Sequence, residues 1–290
     1  MKTIRLLYPD HVSGGLETYY FGAKLLSHIL PENPKQPLVK VKITPPDGRA
    51  PVVTNGIAEL DQVQAGIRSA KAVIAREAPD RIVTIGGNCI VSLAAFDYLH
   101  GLNPNTGIVW IDSHPDVSLP ENGYPNAHAM VLGALLGRGS EALKAEMENP
   151  PFGAKDLLYV GLQGLLDYQR RFLEDAGVDF MLQNEAFVGN EKIADFVRRY
   201  DRILVHLDID VLDPRCFHST YFANPALTGD GSGGGTAASF VQTALGEVGY
   251  RESGKDMTKY GEWAGNNGVA WCVIFICWCA AKSGAPIPTG

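Results

Sequence analysis

Two short segments carry the residue types that could do chemistry. Each places acidic or imidazole side chains two positions apart, directly after an apolar run. The residues are Asp112, His114 and Asp116 in the first segment, and Asp208 and Asp210 in the second. In an extended chain, residues two apart share a face, so each set is expected to point in one direction.

Four carboxylates and an imidazole brought together would repel one another and resist burial unless a cation neutralises them. Oxygen and imidazole ligands suit Mn²⁺, Zn²⁺, Fe²⁺ or Co²⁺, and carboxylates that can bridge favour two ions in one site. Either segment alone could be a solvated acidic loop. The two together, each at the end of a buried-looking strand, predict a metal site.

The elements that would position these residues alternate along the chain. Short runs rich in β-branched residues predict strands at 4–8, 39–43, 81–85, 107–111, 157–160 and 203–207. Segments of helical period lie at 57–77, 91–99, 127–136, 166–176 and 191–199. Such alternation is typical of an α/β fold with three layers, a parallel sheet with helices on both faces. Ligands of such sheets bind outside the carboxyl ends of the strands, which is where both segments fall.

Composition narrows the functional classes. The chain has 290 residues and a net charge of −7, which argues against a nucleic-acid binder or a polybasic membrane binder. No apolar run reaches transmembrane length, and the first residues lack the apolar core of a signal peptide. We therefore expect a cytoplasmic protein. Five cysteines make a full disulfide framework unexpected.

These motifs resemble the arginase/agmatinase (ureohydrolase) family. The resemblance covers about residues 1–235 and rests on Asp-Ser-His-Pro-Asp at 112–116, Leu-Asp-Ile-Asp-Val-Leu-Asp-Pro at 207–214, a Gly-Gly pair at 86–87 and His-Ala-Met at 128–130. It implies a parallel α/β fold, a two-manganese centre, and hydrolysis of guanidino groups or related C–N bonds of small molecules by a metal-bridging hydroxide. It also implies a homo-oligomer, a trimer or hexamer.

The resemblance further implies roles for individual residues. Asp112 and Asp208 would bridge the two ions. Asp116 would complete one ion's ligand set and take part in catalysis, and the other ion would be served by His114 and Asp210. His128 matches a histidine that shuttles a proton near the substrate. The alternative for His128 is a structural histidine at the start of a helix.

Three departures from the family leave questions open. The family's Gly-Gly-Asp-His-Ser reads Gly-Gly-Asn-Cys-Ile here, so Cys89 replaces a metal-binding histidine. A thiolate is softer and favours Zn²⁺ over Mn²⁺, whereas Cys89 could equally be a small buried residue. Residues 117–123 do not match the arginine-specific loop, so the substrate stays open. The family's closing elements after the aspartate pair are not recognisable.

The last part of the chain has a different character. A Gly/Ser-rich stretch at 229–235 predicts a boundary near residue 235, although one domain with a Gly-rich loop is the alternative. Residues 236–290 resemble the amino-terminal half of CHAP domains, a family of cysteine amidases and peptidases, and Cys272 matches their nucleophile. A cysteine nucleophile needs a histidine base, and the last histidine is His218, so we expect Cys272 to be inactive. We expect a spliced or truncated product, or tail helices that cover the sheet edge.

The sequence therefore predicts a metal-dependent ureohydrolase-type enzyme that uses Mn²⁺, or Zn²⁺ in view of Cys89. Two alternatives remain. The first is a non-catalytic or impaired member of the arginase family. The second is a cell-wall amidase or peptidase, which the missing histidine disfavours.

Overall fold

The structure is a computed structural model, and it describes residues 1–183 and 188–212 together with positions 243, 250, 253–254, 257–263, 265, 278–279 and 282. The predicted CHAP-like segment at 236–290, its boundary near residue 235 and Cys272 lie largely or wholly outside these residues. None of the helices in the described ranges is long and apolar enough to cross a membrane.

The strands of the described residues form two parallel sheets and one hairpin. Their bounds are β1 Thr3–Tyr8, β2 Leu38–Lys40, β3 Val53–Thr54, β4 Ile57–Ala58, β5 Arg81–Gly86, β6 Thr106–Ile111, β7 Leu157–Val160 and β8 Arg202–Leu207. The first sheet has the order β2-β1-β5 and the second β7-β6-β8, with every neighbouring pair parallel. The antiparallel hairpin joins β3 to β4.

The helices alternate with these strands. Their bounds are α1 Thr18–Ile29, α2 Leu60–Glu77, α3 Ser92–Leu102, α4 Val131–Leu135, α5 Glu141–Lys144, α6 Asp167–Ala176, α7 Asn190–Val197 and α8 Lys259–Trp263. Helix α2 shows why the sequence folds this way. Val63, Ile67, Ala70 and Ile74 recur every three or four residues and are all buried, so they form one apolar stripe.

Helices cover both faces of the sheets. The largest apolar cluster packs α2, α3 and α4 against one face and includes the fully buried side chains of Tyr8 and Trp110. On the other face α1 contributes Ala23, which packs beside Ile85, and α7 contributes Phe196, which packs beside β6 and β7. This arrangement confirms the predicted three-layer α/β class.

Three details differ from the sequence prediction. A single parallel sheet is the expectation, but the described strands pair as two sheets. The edge strands β5 and β8 both line a cleft of about 1020 Å³, where Val83, Val205 and Leu207 lie on its walls. The predicted strand at 39–43 is shorter and ends at Lys40, and helix α1 has no counterpart in the prediction.

The predicted helix start at residue 57 is also wrong, because Ile57 and Ala58 form strand β4 and the helix begins at Leu60. The reason is a two-residue turn at Asn55 and Gly56, with φ of 51° and 75°. Asn-Gly is the preferred pair for a tight hairpin turn that needs positive φ at both positions.

Candidate metal centre

The site lies where β5, β6 and β8 end. Backbone hydrogen bonds of the second sheet continue into it, because the Asp112 amide donates to Val160 O (3.1 Å) and the Asp208 amide donates to Ile111 O (2.9 Å). The two acidic segments therefore leave the sheet side by side. Their carboxylates face each other because β6 and β8 are direct neighbours in parallel register.

One group of candidate ligands joins both acidic segments. His114 Nδ1 lies 2.9 Å from Asp210 Oδ2 and 3.5 Å from Asp112 Oδ1. These three residues offer ligand atoms within 4.8 Å of one another. The Ser113 hydroxyl donates to Asp210 Oδ1 (2.8 Å), which fixes the carboxylate's orientation.

A second group lies deeper. It consists of Cys89, Asp112, Asp116 and His206, whose ligand atoms also lie within 4.8 Å of one another and whose side chains are all buried. Asp112 belongs to both groups. A carboxylate shared between two groups of donors is the arrangement that a bridging ligand of two ions requires.

Asp208 lies beside the deeper group. The Cys89 thiol donates to Asp208 Oδ2 (3.5 Å), and Asp208 Oδ1 accepts from the Asp210 amide (3.0 Å). Asp208 is part of neither group of ligand atoms that lie within 4.8 Å of one another. The structure therefore places Asp208 at the site, next to the Cys89 thiol. Both side chains would serve the same ion as ligands.

Asp116 has a left-handed backbone, with φ of 49°, which aspartate tolerates better than most residues. Its carbonyl accepts hydrogen bonds from the amides of Leu132 (3.0 Å) and Gly133 (3.3 Å) in α4. The first turn of that helix otherwise has unsatisfied donors. Helix α4 therefore holds the bend that turns the Asp116 carboxylate back toward β6.

Burial and mutual repulsion set the charges of the carboxylates. Burial, and then the nearby Asp116 charge, raise the pKa of Asp112 well above its ordinary value. Burial raises the pKa of Asp116 to about 7. Burial, followed by the charge of Asp210, raises the pKa of Asp208. Burial would also raise the pKa of Asp210, but hydrogen bonding to His114 prevails and lowers it.

The other titratable side chains respond to the same surroundings. Burial, followed by the Asp116 charge, raises the pKa of the Cys89 thiol well above its usual range. For His114, burial opposes the charged form, yet hydrogen bonds to Asp112 and Asp210 raise the pKa to about 11. In the absence of an ion, the site therefore favours protons on both the thiol and the imidazole.

The donor chemistry of this pocket fits divalent cations. Four buried side-chain atoms of the described residues lack a hydrogen-bond partner, and two of them, Asp116 Oδ2 and His206 Nε2, lie in this pocket. Buried polar atoms are normally paired, so each such atom calls for an explanation. Two lone-pair donors beside crowded carboxylates are accounted for by a metal ion, which would also displace the extra protons.

His128 lies near the site but outside both groups of ligand atoms. Its amide donates to Ser13 O (3.0 Å), and its Nε2 lies 3.0 Å from the Tyr124 hydroxyl. Burial, followed by the charge of His114, lowers the pKa of His128 to about 4. The imidazole is therefore neutral at pH 7 and would hold an added proton only briefly.

Sequence reasoning selected six of the residues that meet here and missed several that support them. His206 stands two positions before Asp208, so the two-residue period of a strand could have found it. Trp110 donates its indole N–H to Asp112 Oδ2 (3.2 Å) and stacks on His206, with ring centroids 3.7 Å apart. The sequence alone gave no indication that Tyr124 would contact His128.

A buried network holds the loop that approaches His128. Burial raises the pKa of Asp10. The Asp10 carboxylate accepts from the Ser13 amide (3.1 Å) and from Asn88 Nδ2 (2.8 Å). Asn88 also accepts from the Ile90 amide (3.2 Å), so it links the end of β5 to this loop. An aspartate at position 88 would face the Asp10 carboxylate directly.

Comparison with known proteins agrees with this geometry. A family model described as "Arginase family" matches residues 40–226. An arginase of Entamoeba histolytica is 27% identical over 186 residues, which are 60% of this chain and 62% of that protein. An arginase of Staphylococcus aureus is 24% identical over 140 residues, 46% of each chain. The chain thus spans about half to three fifths of these curated relatives.

Solved structures show the same fold. The Entamoeba histolytica arginase, solved in complex with L-ornithine, superposes with a TM-score of 0.62 at 23% identity over 77% of this chain and 80% of that one. The Bacillus caldovelox arginase gives a TM-score of 0.60 at 18% identity over 84% of this chain and 85% of that one. The sequence match and the arrangement of the strands agree, and the chain belongs to the arginase family.

Proposed function

We propose that this protein is a metal-dependent hydrolase of the ureohydrolase type, which cleaves a guanidino or related C–N bond in a small molecule. The observation that carries the proposal is the convergence of Asp112, His114 and Asp210 at the ends of β6 and β8, next to the buried group that contains Cys89. Such crowding of acidic groups is costly without bound cations. Two ions, Mn²⁺ or Zn²⁺, would be held by the two groups, with Asp112 and Asp208 between them.

When bound, the ions would lower the pKa of water and so supply a hydroxide nucleophile at neutral pH. The protein's own residues would do the rest. Asp116, through the carboxylate oxygen that does not bind an ion, would orient the nucleophile and hold its proton. The neutral imidazole of His128 would accept a proton at one ring nitrogen and pass it to the leaving amine or to solvent. The Tyr124 hydroxyl keeps that ring in place through its contact with Nε2 (3.0 Å).

The direct test is the release of urea, ammonia or amine from a panel of guanidino and formimino compounds, after metal removal and reloading with Mn²⁺ or Zn²⁺. We expect release by the loaded protein only, and a loss of at least about 100-fold in Asp112→Asn, since even residues behind metal ligands change activity by that much. Asp97→Asn is the matched control. Asp97 is buried but accepts from the amides of Glu148 (2.9 Å) and Asn149 (3.0 Å), outside the site.

A second candidate is a family member that binds metal without turnover. It is favoured by Cys89, whose thiol pKa is raised by burial, because a protonated thiol would leave one ion weakly held. Stoichiometric metal binding with no product from any compound in the panel would select this alternative. The proposed division into an arginase-like part at 1–235 and a CHAP-like part at 236–290 remains a prediction, and no comparison supports a cysteine hydrolase.

A further inference from the structure

His206 is a buried histidine whose position in the sheet turns it toward the candidate metal centre. It lies in β8, in register with Trp110 of β6, and only 7% of it is exposed. Since residues two apart share a face, His206 and Asp208 lie on the same side of β8. The ring stacks on Trp110 with an interplanar angle of 8°, so its plane is fixed.

The two ring nitrogens of His206 have different surroundings. Nδ1 lies 2.9 Å from the Ser92 hydroxyl, at the start of α3. Nε2 is buried and has no hydrogen-bond partner among the described residues. It lies 3.7 Å from Asp112 Oδ2. A buried nitrogen that lacks a hydrogen-bond partner and faces carboxylates and a thiol is the arrangement expected of a metal ligand.

We propose that His206 is a metal ligand and joins Cys89, Asp112 and Asp116, next to Asp208, in holding a Zn²⁺-like ion. The inference rests on the proposed function only in taking this pocket to be a metal centre. Zn²⁺ accepts sulfur, imidazole and carboxylate ligands at 2.0–2.3 Å, usually four in a tetrahedron. The four ligand atoms lie within 4.8 Å of one another, so small side-chain adjustments would bring them to the separations of about 3.3–3.8 Å that a tetrahedron with these bond lengths requires.

This ligand set accounts for the residue found at position 89. The histidine that the family motif carries there is replaced by Cys89, and His206 brings an imidazole to the same group from β8. Ser92 would serve as the partner of the distal nitrogen. With Nδ1 donating its proton to Ser92 Oγ, Nε2 presents its lone pair to the ion, which is how metal-binding histidines are commonly held.

The test measures Zn²⁺ affinity on metal-free protein by competition with a chromophoric chelator. We expect His206→Ala to weaken one of the bound ions by at least about 100-fold, beyond the range of residues that only support ligands, and Ser92→Ala to weaken it by about 10-fold. His100→Ala is the matched control. His100 is also buried and stacked, on Phe152 with ring centroids 4.0 Å apart, but it lies at the other end of α3 and should leave the affinity unchanged.

His206→Gln and a spectroscopic measurement cover the case in which the alanine variant fails to fold. In the wild-type protein, addition of Zn²⁺ should shift the ¹⁵N resonance of His206 Nε2, and Co²⁺ should give a thiolate charge-transfer band from Cys89. An unshifted nitrogen, or a folded His206→Gln protein with wild-type affinity, would overturn the proposal. Metal binding by His206 without hydrolysis of any guanidino or formimino compound would contradict the proposed function but support this inference.

Discussion

Replacing Asp116 by asparagine should have opposite effects on the stability of the metal-free and the metal-loaded protein. Burial raises the pKa of Asp116 from 3.8 to about 7. Between these values the folded protein holds a proton that the unfolded chain has released, so the free energy of unfolding falls as the pH rises. At 1.36 kcal/mol per pKa unit, this loss amounts to about 4 kcal/mol at pH 8. Asparagine does not titrate, so the Asp116→Asn variant does not lose this stability as the pH rises.

The assay is urea denaturation of wild type and Asp116→Asn at intervals from pH 4 to pH 8, with a chelator present. We expect nearly equal stability at pH 4 and an advantage for the variant that grows to about 4 kcal/mol at pH 8. Titrations of groups that do not contact Asp116 cancel in the difference. The titration of Asp112 does not cancel, because the Asp116 charge raises its pKa, and this coupling adds to the advantage of the variant at high pH. With Zn²⁺ in place of the chelator, the order should reverse, because only the wild type retains the full ligand set.

The control is again Asp97→Asn. Both oxygens of Asp97 accept backbone hydrogen bonds, whereas Asp116 Oδ2 has no partner within the described residues. Loss of a well-satisfied acceptor should destabilise the protein at every pH, by about 1–3 kcal/mol. Burial also raises the pKa of Asp97, so this cost should shrink as the pH rises. If the difference between Asp116→Asn and wild type were flat from pH 4 to pH 8, the Asp116 carboxylate would not be the strained charge that the structure indicates.

Three further substitutions probe neighbouring contacts. Cys89→His should raise the Mn²⁺ content retained after dialysis, since imidazole suits that ion better than a thiol; unchanged content would exclude Cys89 as a ligand. Trp110→Phe removes the indole donor to Asp112 and should weaken Zn²⁺ affinity about 10-fold in the chelator competition, whereas full affinity would make that contact dispensable. Tyr124→Phe removes the hydroxyl on His128 and should lower kcat about 10-fold, the effect of one hydrogen bond, with KM little changed; a change confined to KM would contradict a role in positioning the imidazole.

The fold class and the meeting of the two acidic segments could be predicted because both follow from one regularity. Strands buried on both faces read as short apolar runs, and the carboxyl ends of parallel strands meet at one edge. Asp112 and Asp208 stand directly after β6 and β8. These two segments are the longest acidic motifs that follow predicted strands, so we expect them to lie together at that edge.

Other features depend on contacts that the sequence does not reveal. The predicted helix at 127–136 begins as a 3₁₀ turn over Ala127–Met130, and the His128 amide bonds to Ser13 O in a distant loop. Helix α1 buries only Ala23, so its apolar residues lack a clear stripe. The partner of His206 is Ser92, which lies far away in sequence, and no local pattern could connect them.

The backbone hydrogen bonds at Asp112 and Asp208 bear on how the site can move. Because both amides are tied to neighbouring strands, the backbone at Asp112 and Asp208 cannot shift without breaking hydrogen bonds of the second sheet. Hydrogen exchange at these two amides is therefore tied to the rare, cooperative opening of the sheet. Adjustment to different substrates falls instead to loops outside the sheet, such as the one at residues 117–123 that follows Asp116.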